Sequence, residues 1–480
     1  MPADENSKDV LIIFSVALAT FMGRLDSYIV NVSLPTMARY FDSSLSDISR
    51  VVFIYVLAAA STLLLFGKWA DRTGLRRFFI WGYILFTGGS LLCGVSASID
   101  MLTISRFVQG LGSSMLAATS LAIISRHIPR EKSGRAFGIF TSASALGITL
   151  GAPLGGFITD YISWHWIFLI NMPIGIAAIV IAGKVIPGKI EQERDIIVPP
   201  FDFPGAFLSM AAISLLLFAL NNGQEYGWAS VGIISGFIFS ALCGVAFVVR
   251  EKRVVSPLID LSLLGNPRLY CPLVANFIIY MTIAAHNFLI PFYLDLLKHM
   301  TPARIGLFLM IYSVVFVIVP PIAGRYSEKT NPVIISTLAM AITAFSFFFF
   351  SFTLHLQGLF FVVAFFVVRA IGNGMFVPPN NVLIMKCASE KDEGTISGIL
   401  NTVTYLGVTI GVVVFETIFS QIIHQSRSDQ TLGSPGFVAD NLYPGFRYIF
   451  VTLGFISIIG MIFSYLTGVD AKRKAKEIFP

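Results

Sequence analysis

The chain has 480 residues, of which 55% are hydrophobic and only 12% charged, with a mean hydropathy of +0.79. Soluble domains carry about 25% charged side chains, so this chain cannot cover a water-soluble globule and its solvent must be mostly lipid. The formal net charge of +6 suggests nucleic acid only until the charges are placed along the chain.

A hydrocarbon core about 30 Å thick takes about 20 apolar residues per helix. Runs of that length fall at 10–33, 48–67, 77–96, 101–124, 135–157 and 165–186. Two more lie at 205–222 and 231–250, and six follow at 270–294, 303–323, 331–353, 358–381, 394–420 and 446–467. The runs are continuous rather than alternating in period two, which argues against a membrane β-barrel. The expected fold is therefore an all-α integral membrane protein with 14 transmembrane helices. It divides into a six-helix bundle at 1–190, a linker with two extra helices at 191–262, and a second six-helix bundle with a basic tail at 263–480. Met1 to Lys8 is polar and acidic ahead of a full-length span, so no cleavable leader is expected.

Basic residues set the orientation. Loops on the N-terminal side hold 24 of the 33 lysines and arginines and the opposite loops only 6, which leaves Arg24, Arg106 and Arg369 inside spans. The bias recurs loop after loop, so both termini are expected in the cytoplasm of a multi-pass plasma-membrane protein. The +6 is thus an orientation signal rather than a nucleic-acid footprint.

Two stretches repeat. Gly134, Gly138, Gly147 and Gly151 match Gly394, Gly398, Gly407 and Gly411 at the same offsets, with similar residues between them. Gly67-Lys-Trp-Ala-Asp71-Arg72-Thr73 has the charge order of Gly324-Arg-Tyr-Ser-Glu328-Lys329-Thr330. Arg106 and Arg369 then fall on corresponding helices. Parallel halves of six helices with a site between them are a transporter architecture.

A charge at the bilayer centre costs about 2.5–3.5 kcal/mol, so ionisable groups within spans are functional candidates. Asp26 lies mid-span, and loss of water favours the protonated form of a carboxyl, which is the chemistry of a proton-coupled carrier. Permanent neutralisation by a basic neighbour is the alternative; Arg24, two residues away, points elsewhere on the helix. Arg106 could bind an anionic substrate, pair with a carboxylate or hold backbone carbonyls, and Arg369 has the same options with a structural role favoured. The expected substrate cavity takes Arg24, Tyr28, Asn31, Gln109, His286, Asn287, Asn380 and Asn401, although each uncharged member could equally be interhelical glue. Gly147, Gly151, Gly155 and the adjacent Gly156 form a close-packing stripe that Pro153 should kink, a hinge between the halves or plain static packing. The run Phe345 to Phe352 is expected to face lipid.

The four cysteines lack metal-ligand spacing, and no zinc-protease pair, second deep acid or phosphate-binding loop occurs. No cofactor and no enzymatic activity are expected. The carrier would run on the proton gradient, and it is expected to act as a monomer. Lys472 to Lys476 would meet anionic lipids at the cytoplasmic face.

These residues resemble the major facilitator superfamily over nearly the whole chain, in particular its fourteen-helix drug:proton antiporter branch. Gly67-Lys-Trp-Ala-Asp71-Arg72-Thr-Gly74-Leu-Arg76-Arg77 is similar to the superfamily's loop motif between helices two and three, and Arg106-x-x-Gln109-Gly110-x-Gly112 to its fourth-helix motif. Leu25-Asp26-Ser-Tyr28-Ile-Val-Asn31-Val-Ser-Leu-Pro35 and Ser163-Trp164-His-Trp166-Ile-Phe-Leu-Ile-Asn171-Met-Pro173-Ile-Gly175 resemble motifs of the branch, as does Phe201-Asp202-x-x-Gly205. The resemblance implies that Asp26 accepts the proton, that Arg106 links protonation to conformation, and that Gly67, Asp71, Arg72, Gly74, Arg76 and Arg77 form a cytoplasmic gate. Two departures stand out. The fifth-helix motif has its proline displaced by one, as Gly151-Ala-Pro153-Leu-Gly155-Gly156, and the C-terminal half lacks the extra carboxylates found in carriers of cationic drugs. The expected activity is proton-coupled export of a small amphipathic molecule by alternating access, with proton and substrate competing for one central cavity. The alternative is proton-coupled uptake of a small organic anion or zwitterion.

Overall fold

The computed structural model describes residues 2–43, 45–188, 201–254, 256–356, 358–428 and 435–478. Among them every regular element is helical: α1 (Pro2–Tyr40), α2 (Leu45–Ser61), α3 (Leu63–Thr73), α4 (Leu75–Gly94), α5 (Ile99–His127) and α6 (Ser133–Tyr161). Then come α7 (Trp166–Leu169), α8 (Asn171–Val185), α9 (Phe203–Tyr226), α10 (Val231–Glu251), α11 (Leu261–Leu264) and α12 (Pro267–Leu296). The last five are α13 (Pro302–Lys329), α14 (Pro332–Thr353), α15 (Leu359–Met385), α16 (Glu393–Ser428) and α17 (Pro435–Ile478). Among the described residues 12 helices are long and apolar enough to cross a membrane, or 13 when α2 and α3, bent by 48°, are taken as one span. The predicted third span coincides with α4, whose first turn carries Arg76 and Arg77 and which falls short of that apolarity.

Helix starts follow local chemistry. Ser98, Asp202, Asn266 and Asn331 accept backbone N–H bonds at the beginnings of α5, α9, α12 and α14. Proline at the first turn, where no N–H is needed, opens α12, α13 and α14. Gly74, at φ 101°, makes the sharp passage from α3 to α4.

The repeat visible in the sequence is a repeat of contacts. Gly147 seats on the carbonyl of Phe21 and Gly151 against Tyr28 and Leu25, so α6 lies directly on α1. Gly407 and Gly411 seat on the carbonyls of Phe277 and Met281, so α16 lies on α12 in the same way. The stripe Gly147–Gly151–Gly155 therefore packs within the N-terminal half, against α1. Gly156 has only Val32 near it, and Pro153 lies on the exposed side of α6.

The halves meet through the first third of the same two helices. Gly134 and Gly324 face each other's carbonyls, as do Gly67 and Gly394, while Gly138 lies on Pro320 and Gly398 on Leu63. All of these lie toward the end of the bundle that carries the basic loops. In the insert, α9 pairs with α10 and also packs against α2, α3 and α16, so it touches both halves. The phenylalanine run in α14 is not uniformly lipid-facing. Phe345 and Phe352 are exposed, whereas Phe347 and Phe350 are core, Phe350 stacking on Phe365 at 4.0 Å. A continuous apolar run on a helix necessarily presents more than one face.

These contacts predict that Gly151→Ala loses about 1–3 kcal/mol to overpacking. Gly88→Ala, at a site with no atom within reach of the added methyl, should be neutral or stabilising; thermal unfolding of the two purified variants in detergent compares them.

Candidate functional site

Asp26 and Arg106 face each other in the interior of the N-terminal half, both 0% exposed. Arg106 Nη1 donates to Asp26 Oδ2 at 2.5 Å and to Gln109 Oε1 at 2.7 Å, and its Nε donates to the Val51 carbonyl at 3.3 Å. The other carboxylate oxygen, Oδ1, accepts from Gln109 Nε2 at 2.8 Å and from Asn171 Nδ2 at 3.2 Å. Ser90 completes the group, accepting from Gln109 at 2.6 Å. The guanidinium lies over the Tyr55 ring at 4.0 Å, while its Nη2 has no hydrogen-bond partner. Five helices thus converge on one carboxylate: α1 brings Asp26, α2 Tyr55, α4 Ser90, α5 Arg106 and Gln109, and α8 Asn171. In such surroundings the charges hold each other in place, because removing one partner leaves an uncompensated buried charge. Of the three options open to Arg106, the geometry takes two, the carboxylate and the carbonyl.

The second half carries the same arrangement without an acid. Arg369, also 0% exposed, donates to Thr282 Oγ1 at 2.8 Å and Asn373 Oδ1 at 2.7 Å and lies 4.3 Å over Phe347. The contacts that seat Gly151 beside Leu25 and Gly411 beside Met281 make Thr282 the counterpart of Asp26.

Between the halves lies a cavity of about 370 Å³, walled by α1, α5 and α6 from one side and α12, α13, α15 and α16 from the other. Of the predicted cavity residues, Arg24, Tyr28, Asn287 and Asn401 line it. Four others do not. Gln109 belongs to the Asp26 group, and Asn31 lines a separate cavity with Phe53, Leu217 and Thr409 beside the insert. His286, 1% exposed, is enclosed by Tyr312, Phe365 and Phe366, with neither ring nitrogen hydrogen bonded. Asn380 is tied to the Pro272 carbonyl at 3.1 Å, and its neighbour Asn381 takes the place on the cavity wall.

Asp26 does not line the cavity, which corrects the expectation that proton and substrate compete for one space. Residues two apart on a helix point in directions roughly 200° apart. Arg24 and Tyr28 accordingly face the cavity while Asp26 faces Arg106. Tyr280 and Tyr405, absent from the expected set, also line the wall. Arg24/Tyr28 and Asn401/Tyr405 are each spaced by one helical turn, a signal that marks a shared face but not which space the face meets.

At the basic-loop end Asp71 reaches across to the first turn of α16. Its carboxylate accepts from the Gly394 N–H at 2.6 Å, the Thr395 N–H at 2.8 Å and the Thr395 hydroxyl at 2.7 Å, a helix cap supplied by the other half. Glu328 does the reverse, accepting from the Arg135 N–H at the start of α6 at 2.6 Å. Arg126 pairs with Glu393 at 2.6 Å and also donates to the Glu390 carbonyl. The basic members of the motif act elsewhere. Arg76 donates to the Gly183 carbonyl within its own half, Arg72 donates to Ser256 and lies over Phe201 beside the insert, and Arg77 is exposed. Arg126 and Glu393 were not among the expected gate residues, since a loop arginine and a loop glutamate carry no signal of their pairing. The side chains of Lys472 to Lys476 lie outside the described set.

The buried pair predicts that Arg106→Met destabilises by about 3–5 kcal/mol and that adding Asp26→Leu restores most of the loss. A double-mutant cycle on thermal unfolding measures the coupling.

The comparisons agree with this architecture. The family model described as Major Facilitator Superfamily matches residues 16–412. The riboflavin transporter RibZ of Clostridioides difficile (strain 630) is 30% identical, over 94% of this chain and 97% of that protein. The multidrug export protein EmrB of Haemophilus influenzae is 26% identical over 90% and 85%. The multidrug resistance protein Stp of Mycobacterium tuberculosis (strain ATCC 25618 / H37Rv) is 28% identical over 86% and 76%. Among solved structures, the human organic anion transporter MFSD10 (TETRAN) superposes with a TM-score of 0.67 at 13% identity, covering 95% of this chain and 99% of that one, a likeness of fold alone. The chain belongs to the Major Facilitator Superfamily and is a multi-span membrane transporter, not an enzyme.

Proposed function

We propose that this protein is a proton-coupled exporter of small amphipathic molecules, with Asp26 as the proton acceptor. The observation that carries the reading is the fully buried pairing of Asp26 on α1 with Arg106 on α5, the opposite face of α1 lining the cavity between the halves. Protonation would neutralise Asp26 and release the guanidinium from its partner. The α1–α5 contact would loosen, and α1 would carry Arg24 and Tyr28 with it. Proton and substrate are thus linked through a helix rather than by occupying the same space. An equilibrium between two packings shifts only when a ligand or a proton favours one of them, and α1 receives both inputs.

In this reading α4 is a further span, its 20 residues being long enough at 1.5 Å each for a membrane core of about 30 Å. Fourteen spans then arrange as two sets of six around the insert, divided near 190 and 263, with both termini cytoplasmic. The Asp71, Glu328 and Arg126–Glu393 contacts become a closed cytoplasmic gate. These links form and break as the halves rock, a change of the hinge type. Each chain carries its own cavity and gate, which supports action as a monomer, and the Lys472–Lys476 tail would sit on anionic lipid.

Uptake in symport with protons is the second reading. It is favoured by Arg24 on the cavity wall and by the relation to a protein named for riboflavin transport rather than drug export.

In proteoliposomes with an imposed pH gradient, the wild-type chain should move substrate against its gradient as protons run the other way. Asp26→Asn should abolish that gradient-driven transport in protein that still folds in detergent, with thermal stability lowered by about 3–5 kcal/mol because Arg106 loses its counter-charge. Undiminished pH-driven transport by Asp26→Asn would sink the assignment, and accumulation alongside inward protons would establish symport.

A further inference from the structure

The cavity is chemically lopsided. Arg24 is the one charged side chain on its wall, and no aspartate or glutamate lines it. Among the described residues no carboxylate pairs with Arg24. The phenols of Tyr28, Tyr280 and Tyr405 share the wall with it instead, the guanidinium lying 5.8 Å from the centre of the Tyr405 ring. The only buried acid nearby in sequence, Asp26, points away and is committed to Arg106, Gln109 and Asn171.

An arginine stays charged at any physiological pH and offers five donors in a fixed plane. Holding it at a half-buried wall without a counter-ion is costly unless an occupant supplies the missing charge. Phe140, Phe288 and Phe316 extend the wall with flat apolar surface. The volume of about 370 Å³ falls within the range of about 300–1,000 Å³ usual for sites that enclose a drug-sized molecule. A cation entering this space would meet a like charge and no acid, an arrangement that excludes it as effectively as the arginine attracts an anion.

We infer that the central cavity selects aromatic organic anions, the anionic edge docking on Arg24 within the collar of Tyr28, Tyr280 and Tyr405 and the ring system lying along the phenylalanine wall. Tyrosine hydroxyls can donate to the same anionic edge, and the Tyr405 ring adds a cation–π contact to the guanidinium. A methyl added at Gly147 would come within 3.0 Å of the Arg24 Cβ, so the glycine leaves room for the Arg24 stem. Cavity wall and proton site then share one helix, with a cation on one face and its carboxylate on the other.

The assignment rests on the transporter reading but not on proton coupling, so its test is equilibrium binding without a gradient. Fluorescence polarisation of purified full-length protein in detergent compares fluorescein with rhodamine 123, a cation on the same xanthene frame. Wild-type protein should bind fluorescein saturably and at least about tenfold more tightly than rhodamine 123. Arg24→Gln should weaken fluorescein binding by about tenfold or more, and Arg24→Lys, which keeps the charge but not the planar fork, by less. Asp26→Asn should retain fluorescein affinity even where it has lost transport, which separates the two readings. Should Arg24→Gln prove unstable by thermal unfolding, the dye pair on wild type and the Arg24→Lys protein decide. Absence of saturable fluorescein binding, rhodamine 123 bound equally or more tightly, or a folded Arg24→Gln protein with unchanged fluorescein affinity would each overturn the inference.

Discussion

A carboxylate and a guanidinium held together out of reach of water organise the N-terminal half. Neither Asp26 nor Arg106 is tolerable alone at that depth, and together they draw in Gln109, Asn171, Ser90 and the Val51 carbonyl to meet their remaining hydrogen-bonding capacity. The result is a polar knot that fixes the relative positions of α1, α4, α5 and α8. In the proposed mechanism a proton on Asp26 would cancel one of its two charges, at a site held by four helices at once.

The second half makes the contrast that gives this knot its meaning. Arg369 occupies the matching place, and its partners Thr282 and Asn373 are uncharged. A hydroxyl can satisfy a donor but does not ionise near neutral pH, so the repeat has kept its packing while only one half holds an acid at that place. The glycine contacts show how the packing was kept. Gly147 and Gly151 of α6 against α1, like Gly407 and Gly411 of α16 against α12, bring helix backbones into direct contact, and small residues do this in membranes because dispersion, not water expulsion, drives the association. At the other end of the same helices, Gly134 and Gly394 serve the contact between halves. One helix thus combines a contact within its bundle with a contact between the halves.

Much of the fold was legible in the chain. Span positions follow from apolar length, the orientation expectation from loop arginines and lysines, and the internal repeat from glycines at equal offsets. Asp26 and Arg106 were visible for the same reason, because charge is rare in an apolar run. The wall of the cavity was much less legible. Asn380 and Asn381 are adjacent, as are His286 and Asn287, and in each pair only the second faces the cavity. In helices apolar on every side there is no amphipathic pattern to say which face is inward. The contacts between the halves showed a similar limit: Asp71 was expected and bridges them, whereas Arg126 and Glu393, far apart in sequence, became partners only through the approach of α5 to α16.

The sequence by itself determined the solvent, the helices, the repeat and the short list of charges that lipid would not admit without reason. These are properties of composition and local pattern, which need no knowledge of what packs against what. The tertiary structure alone decided that Asp26 turns toward Arg106 while Arg24 turns toward the cavity, that His286 sits in an aromatic core, and that the cavity wall holds a cation and no acid. Each of these depends on the direction in which one helix faces its neighbours, a long-range matter that residues two apart on a uniformly apolar helix cannot encode.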